Sequence, residues 1–153
     1  MEEPGIEEEP DTIHGGGGYD PNLPFDQIPV SGLTRPNRFV GTWISYYFYS
    51  KEWSEEEKRY NEYTIEDEAI YKWVLKGASG DLTSYAMGDN GKYVVDMKTK
   101  WGYKEGRLYV ANPEEPEGYS WAELEELGDG SIEITSKDYY DGHEDITIMR
   151  LRK

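Results

Sequence analysis

Aromatic rings that carry a polar handle are the main chemical resource of this sequence: fourteen tyrosines and five tryptophans stand against three phenylalanines. Such rings suit half-wet surfaces and cavities, because an apolar body can be buried while a hydroxyl or indole N–H finds a partner. Strand alternation puts Tyr47 and Tyr49 on the face shared with Trp43, pairs Tyr71 with Trp73, and pairs Tyr93 with Trp101. Turned inward, these rings could line a cavity for one small ligand; turned inward and packed tightly, they would simply fill a core.

Catalytic patterns are weaker. His143 is the single histidine after residue 36 and sits in Asp141-Gly142-His143-Glu144-Asp145, read as a solvated hairpin turn; a metal site would need two or three more converging ligands. Asp138, Asp141 and Asp145 do not have the spacing of a calcium loop. Gly118-Tyr119-Ser120-Trp121-Ala122 comes near the G-x-S-x-G nucleophile elbow but lacks the last glycine and a following helix. The acids Glu55, Glu56 and Glu57, and Glu123, Glu125 and Glu126, would need a facing pair about 5–9 Å apart to hydrolyse a glycoside, and nothing local demands that. Gly77 to Gly80 lacks the P-loop lysine, and zero cysteines remove disulfides, thiolate metal sites and cysteine nucleophiles. The expectation is a protein that is not an enzyme and needs no cofactor or metal.

The elements that must position these residues are short β-branched and aromatic runs separated by turn residues, which begin after Pro36. Strands are expected at 39–50, 59–66, 69–76, 81–87, 93–103, 107–111, 119–127, 131–136 and 145–152. A tight hairpin at Glu66, Asp67 and Glu68 should join the second strand to the third, and Gly88-Asp89-Asn90-Gly91 should turn the fourth into the fifth. On the fifth, Tyr93, Val95, Met97, Thr99, Trp101 and Tyr103 should share the buried face, with lysines opposite. The fold class is all-β: an antiparallel meander closed into a barrel of about eight to nine strands.

Residues 1–35 read as a disordered acidic tether. Up to Thr34 the chain has Glu2, Glu3, Glu7, Glu8, Glu9, Asp11, Asp20 and Asp26 with no lysine or arginine, a run of glycines from 15 to 18, and five prolines. It offers too little apolar area to offset the entropy of ordering, although Leu23, Phe25, Ile28, Val30 and Leu33 leave open whether residues 22–35 lie on the domain at 36–153. The net charge of -16 repels phosphate backbones and anionic lipids, so nucleic acid is excluded as a partner. No stretch approaches the roughly 20 apolar residues of a membrane helix.

Phe39-Val40-Gly41-Thr42-Trp43 resembles the glycine-x-tryptophan opening strand of lipocalins, and the layout around it resembles the lipocalin-like domains of bacterial secreted lipoproteins. The resemblance covers residues 38–153, although the threonine-aspartate-tyrosine motif of typical lipocalins is absent. It implies an eight-stranded meander barrel in which Trp43, after Gly41, closes one end and packs under an arginine of the last strand, Arg150 or Arg152. It also implies that the tail is the linker after a lipidated cysteine, with Met1 in that cysteine's place. That would put the protein in the cell envelope, periplasmic or on the surface, the alternative being the cytoplasm. The functional expectation is a monomer that binds a small apolar or amphipathic molecule within the barrel through Tyr47, Tyr49, Tyr71, Trp73, Tyr93 and Trp101. Membrane contact would come only through a lipid anchor that this chain does not carry. The rival is a filled-core interaction or scaffold domain that contacts protein or glycan through Tyr46, Phe48, Trp53, Tyr139 and Tyr140.

Overall fold

The first strand, β1 (Gly41–Ser54), is 14 residues long, about 46 Å at a strand's rise per residue and well beyond the usual strand length. Its length decides the topology, because one edge serves two partners in turn. Along that edge Gly41–Ile44 pair with β3 (Tyr71–Leu75), and Tyr47–Ser54 pair with β2 (Arg59–Glu66). The hairpin expected between the second and third strands is therefore absent: these strands do not pair with each other, and Asp67, at φ 61°, donates its backbone N–H to Tyr46 O and carries the chain along β1 from one to the next.

Beyond β3 the meander is regular, with β4 (Asp81–Met87), β5 (Tyr93–Lys104), β6 (Arg107–Ala111), β7 (Tyr119–Glu126), β8 (Ile132–Tyr140) and β9 (His143–Arg152) each pairing antiparallel with its neighbour. β9 pairs back onto β1, which closes an eight-stranded antiparallel barrel with β2 as one added strand. The computed structural model describes residues 28–153, so the first 27 residues of the tether expected at 1–35 lie outside the described residues.

Phe39, Trp43, Phe48, Leu75, Leu82, Trp101, Leu108, Leu124, Ile132, Ile134, Met149 and Leu151 form the interior core. Trp101, Leu82 and Leu151 are wholly enclosed, and each such side chain stabilises the fold by about 1.5–3 kcal/mol through apolar area removed from water. The two central indoles are also satisfied as donors: Trp43 Nε1 donates to Phe39 O at 2.9 Å and Trp101 Nε1 to Lys76 O at 2.9 Å.

Two β-bulges re-aim the side chains that follow them. In β1 the register against β9 shifts between Ser45 and Tyr47, so the buried face runs Trp43, Ser45 and then Phe48, Ser50. In β5 the register against β4 shifts between Met97 and Val95, opposite Ser84 and Tyr85.

Residues 28–35 form a strap on the outside of the barrel. Ile28 and Leu33 are buried with Tyr109 in a second cluster, flanked by Val30, Ala111 and Tyr119. Thr34 and Tyr103 exchange backbone hydrogen bonds of 3.0 and 2.8 Å. Gly102 makes room for the strap, since a Cβ there would lie 3.0 Å from Leu33 Cδ1. Arg35, only 4% exposed, donates from Nε to Trp101 O at 2.7 Å, and its guanidinium occupies the space a Cβ at Gly80 would need. The strap thus packs residues 28–35 against the barrel wall.

Candidate functional site

β7 and β8 pair only from Glu123–Glu126 against Ile132–Thr135. Past Thr135 they separate, because β7 stays with β6 through Tyr119–Glu123 while β8 follows β9 out to Tyr140. The gap is a cleft of about 420 Å³, within the usual size of small-molecule sites. Register places Tyr119, Trp121, Glu123, Thr135, Lys137 and Tyr139 on the outer face and Ser120 and Asp138 on the inner one, so the cleft is lined from both faces of the wall. Glu115 and Glu117, from the loop after β6, complete it.

Four carboxylates (Glu115, Glu117, Glu123 and Asp138) face one ammonium (Lys137) in this lining. Three rings supply apolar surface, and Trp121 and Tyr139 remain 43% and 74% exposed. Arg107 lies 3.9 Å over the Trp121 ring and braces it by cation–π attraction. A hydrogen bond to the Glu144 carboxylate raises the Tyr139 phenol above its usual range. Asp138 stands directly opposite Asp145 across the β8–β9 ladder. Asp145 is occupied, since it accepts from Trp53 N at 2.9 Å and from the Tyr140 hydroxyl at 3.1 Å.

The residues expected to bind a ligand divide into three groups. Trp101 is core, at 0% exposure. Tyr71 and Trp73 do face inward and pack on the core; Tyr71 lies 5.5 Å from Phe48, and burial raises its phenol pKa. Tyr47, Tyr49 and Tyr93 lie outside, contrary to the alternation expected. The β1 bulge exchanges the faces: Phe48 and Ser50 turn inward, Tyr47 stacks under Arg150 at 4.5 Å, and the Tyr49 hydroxyl donates to Glu62 at 2.8 Å. The β5 bulge does the same to Tyr93, which pairs with Met87, donates its hydroxyl to Ala69 O and lies 4.9 Å from Lys72 Nζ. Phe48, expected as a surface ring, is accordingly in the core.

At the barrel end, Trp43 is 2% exposed, but its cation is Lys153, at 5.1 Å, and neither of the expected arginines. Arg150 and Arg152 cover Tyr47 and Tyr46 instead, because the bulge offsets β1 against β9. Gly41, at φ 137°, lets the Lys153 stem pass: a Cβ there would lie 3.2 Å from Lys153 Cε. His143 opens β9 and stacks on Trp53 with ring centroids 3.7 Å apart, so it is not the solvated turn residue expected.

Of the cleft residues, the sequence draws attention to Tyr139 as an exposed ring, to Glu123 and Asp138 as carboxylates, and to the segment around Ser120 and Trp121. What it did not signal was that these two stretches meet, since the gap arises from the lengths over which β7 and β8 pair.

The fold and cleft define a class: an antiparallel β-barrel of eight strands with an added strand and an opening in its side. The chain is similar in structure to a lipocalin-like protein from Bacteroides uniformis, with a TM-score of 0.46 and 14% sequence identity over 76% of this chain and 99% of that one. No family model and no curated protein matches the sequence.

Proposed function

We infer that the protein is a non-enzymatic binding domain that takes up a small amphipathic molecule at the cleft between β7 and β8. The observation that carries this reading is the breach in the barrel wall, where rings of Trp121, Tyr119 and Tyr139 meet polar groups in one concave space. The filled lower interior argues against a ligand among Trp43, Trp101 and Leu82, which are fully packed. Burial of an apolar group against the cleft rings supplies about 25 cal/mol per Å² before the costs of ordering. As part of the same proposal, the protein acts as a monomer in the cell envelope, tethered through its acidic, glycine- and proline-rich N-terminal sequence to a lipid anchor.

The test is tryptophan fluorescence of the full chain during titration with the neutral probe N-phenyl-1-naphthylamine. Saturable energy transfer that Trp121→Ala abolishes and Trp53→Ala retains supports the cleft. Absence of saturable binding by the folded chain transfers the function to surface contact with a protein or glycan, a reading supported by the exposed rings of Tyr139 and Tyr140.

A further inference from the structure

Behind the cleft lies a row of hydroxyls on the inner face of the barrel. Ser136 on β8 pairs with Thr147 on β9, and Thr147 pairs with Ser50 on β1, so three inward hydroxyls lie side by side in adjacent strands. Neighbouring strands are about 4.8 Å apart, which places Ser50 within about 10 Å of the strand that borders the gap. Ser50 is 1% exposed, and its hydroxyl makes no hydrogen bond among the described residues. A buried hydroxyl without a partner is costly and calls for a polar group supplied from elsewhere. Asp138, two residues beyond Ser136 on the same face of β8, lines the cleft, forms no ion pair among the described residues and faces Asp145 across the ladder.

Resting on the cleft as the binding site, we propose that its ligand is an organic cation, a primary ammonium carried on an apolar body. The ammonium passes through the wall to Asp138 and points its N–H groups toward the row from Ser136 to Ser50. The apolar body stays outside against Trp121 and Tyr139. An ammonium has three donors and no acceptor, which suits a lining of carboxylate and hydroxyl oxygens. A carboxylate ligand meets Asp138 and three glutamates, with Lys137 in the lining and Arg107 over Trp121 as the opposing cations, and is disfavoured. The site therefore selects by charge against fatty acids of the same length.

The experiment is calorimetric titration of the full chain at pH 7 with decylammonium, decanol and decanoate, each below its micelle concentration. Decylammonium is expected to bind one per chain, about tenfold or more tighter than decanol, with decanoate weakest, as one charge-assisted contact implies. Asp138→Asn should remove most of the ammonium advantage and leave decanol unchanged. Lys137→Gln should strengthen ammonium binding a few-fold, whereas the remote charge change Asp89→Asn should leave it within about twofold. Equal binding of all three ligands, or equal losses from Asp138→Asn and Asp89→Asn, would overturn the cation assignment and leave the cleft as a binding site. If none of the three binds saturably, both the cation assignment and the cleft fall together.

Discussion

Removal of the Trp101 side chain separates core from site. The indole is 0% exposed, and its N–H is satisfied by Lys76 O at 2.9 Å. Trp101→Ala thus forfeits a fully buried aromatic and leaves a carbonyl without its donor, a loss of about 3–5 kcal/mol. Against a total stability of about 5–15 kcal/mol this is a large fraction. At roughly 3–5 °C per kcal/mol for a domain of this size, the melting temperature should fall by about 10–25 °C. Trp121→Ala, which removes a half-exposed ring braced by Arg107, should cost less than about 1 kcal/mol while abolishing uptake of the probe. Urea unfolding followed by far-ultraviolet circular dichroism measures both variants. A Trp101→Ala protein that keeps its stability within about 0.5 kcal/mol but loses binding would refute the division, and would make Trp101 the wall of an interior chamber.

Three further outcomes test the structural reasoning. Gly80→Ala places a methyl where the Arg35 guanidinium lies, at a φ of +75°, and should destabilise by about 1–3 kcal/mol; the loss should shrink on an Arg35→Ala background, and strict additivity in thermal melts would contradict the contact. Phe48→Ser should cost about 3–5 kcal/mol and Tyr47→Ser less than about 1, whereas equal effects in urea unfolding would mean that the β1 bulge is misplaced. The Ser131 hydroxyl and backbone N–H donate to Asp129 at 2.6 and 3.0 Å, and the hydroxyl contact is the main reason that the carboxyl titrates below its usual range. The stabilisation is present at neutral pH and lost as pH falls through the lowered folded-state value, so the melting-temperature deficit of Asp129→Ala at pH 7 should shrink as the pH falls below the ordinary carboxylate range; a deficit unchanged in acid would refute the link.

Strand positions were legible because β-branched and aromatic runs end at recognisable turn residues: the spans 59–66, 81–87 and 107–111 coincide with β2, β4 and β6. The inward aim of Tyr71, Trp73 and Trp101 was legible from alternation as well. What failed was alternation across Tyr46 and across Asp96, where a bulge inserts one residue and reverses the faces beyond it. A bulge is a local backbone adjustment without a required residue type, so period-two reading carried Tyr47, Tyr49 and Tyr93 to the wrong side. The neighbours of β1 were equally hidden: a turn at Asp67 looks the same in sequence whether the next strand folds back or continues along the same partner. The cleft depends on how far two ladders extend, a long-range property that neither β7 nor β8 carries alone.

The strap has a mechanical consequence. A pull applied at Ile28 would peel Ile28, Val30 and Leu33 from the outer wall one after another. The Thr34–Tyr103 hydrogen bonds would then open, and Arg35 would be drawn last from beneath Gly80. Tension would therefore be spent on a peripheral zipper before it loaded β1, whose hydrogen bonds to β3 and β9 hold the barrel shut. The strap works as a strain relief, the part of a cable that yields so that the joint behind it does not.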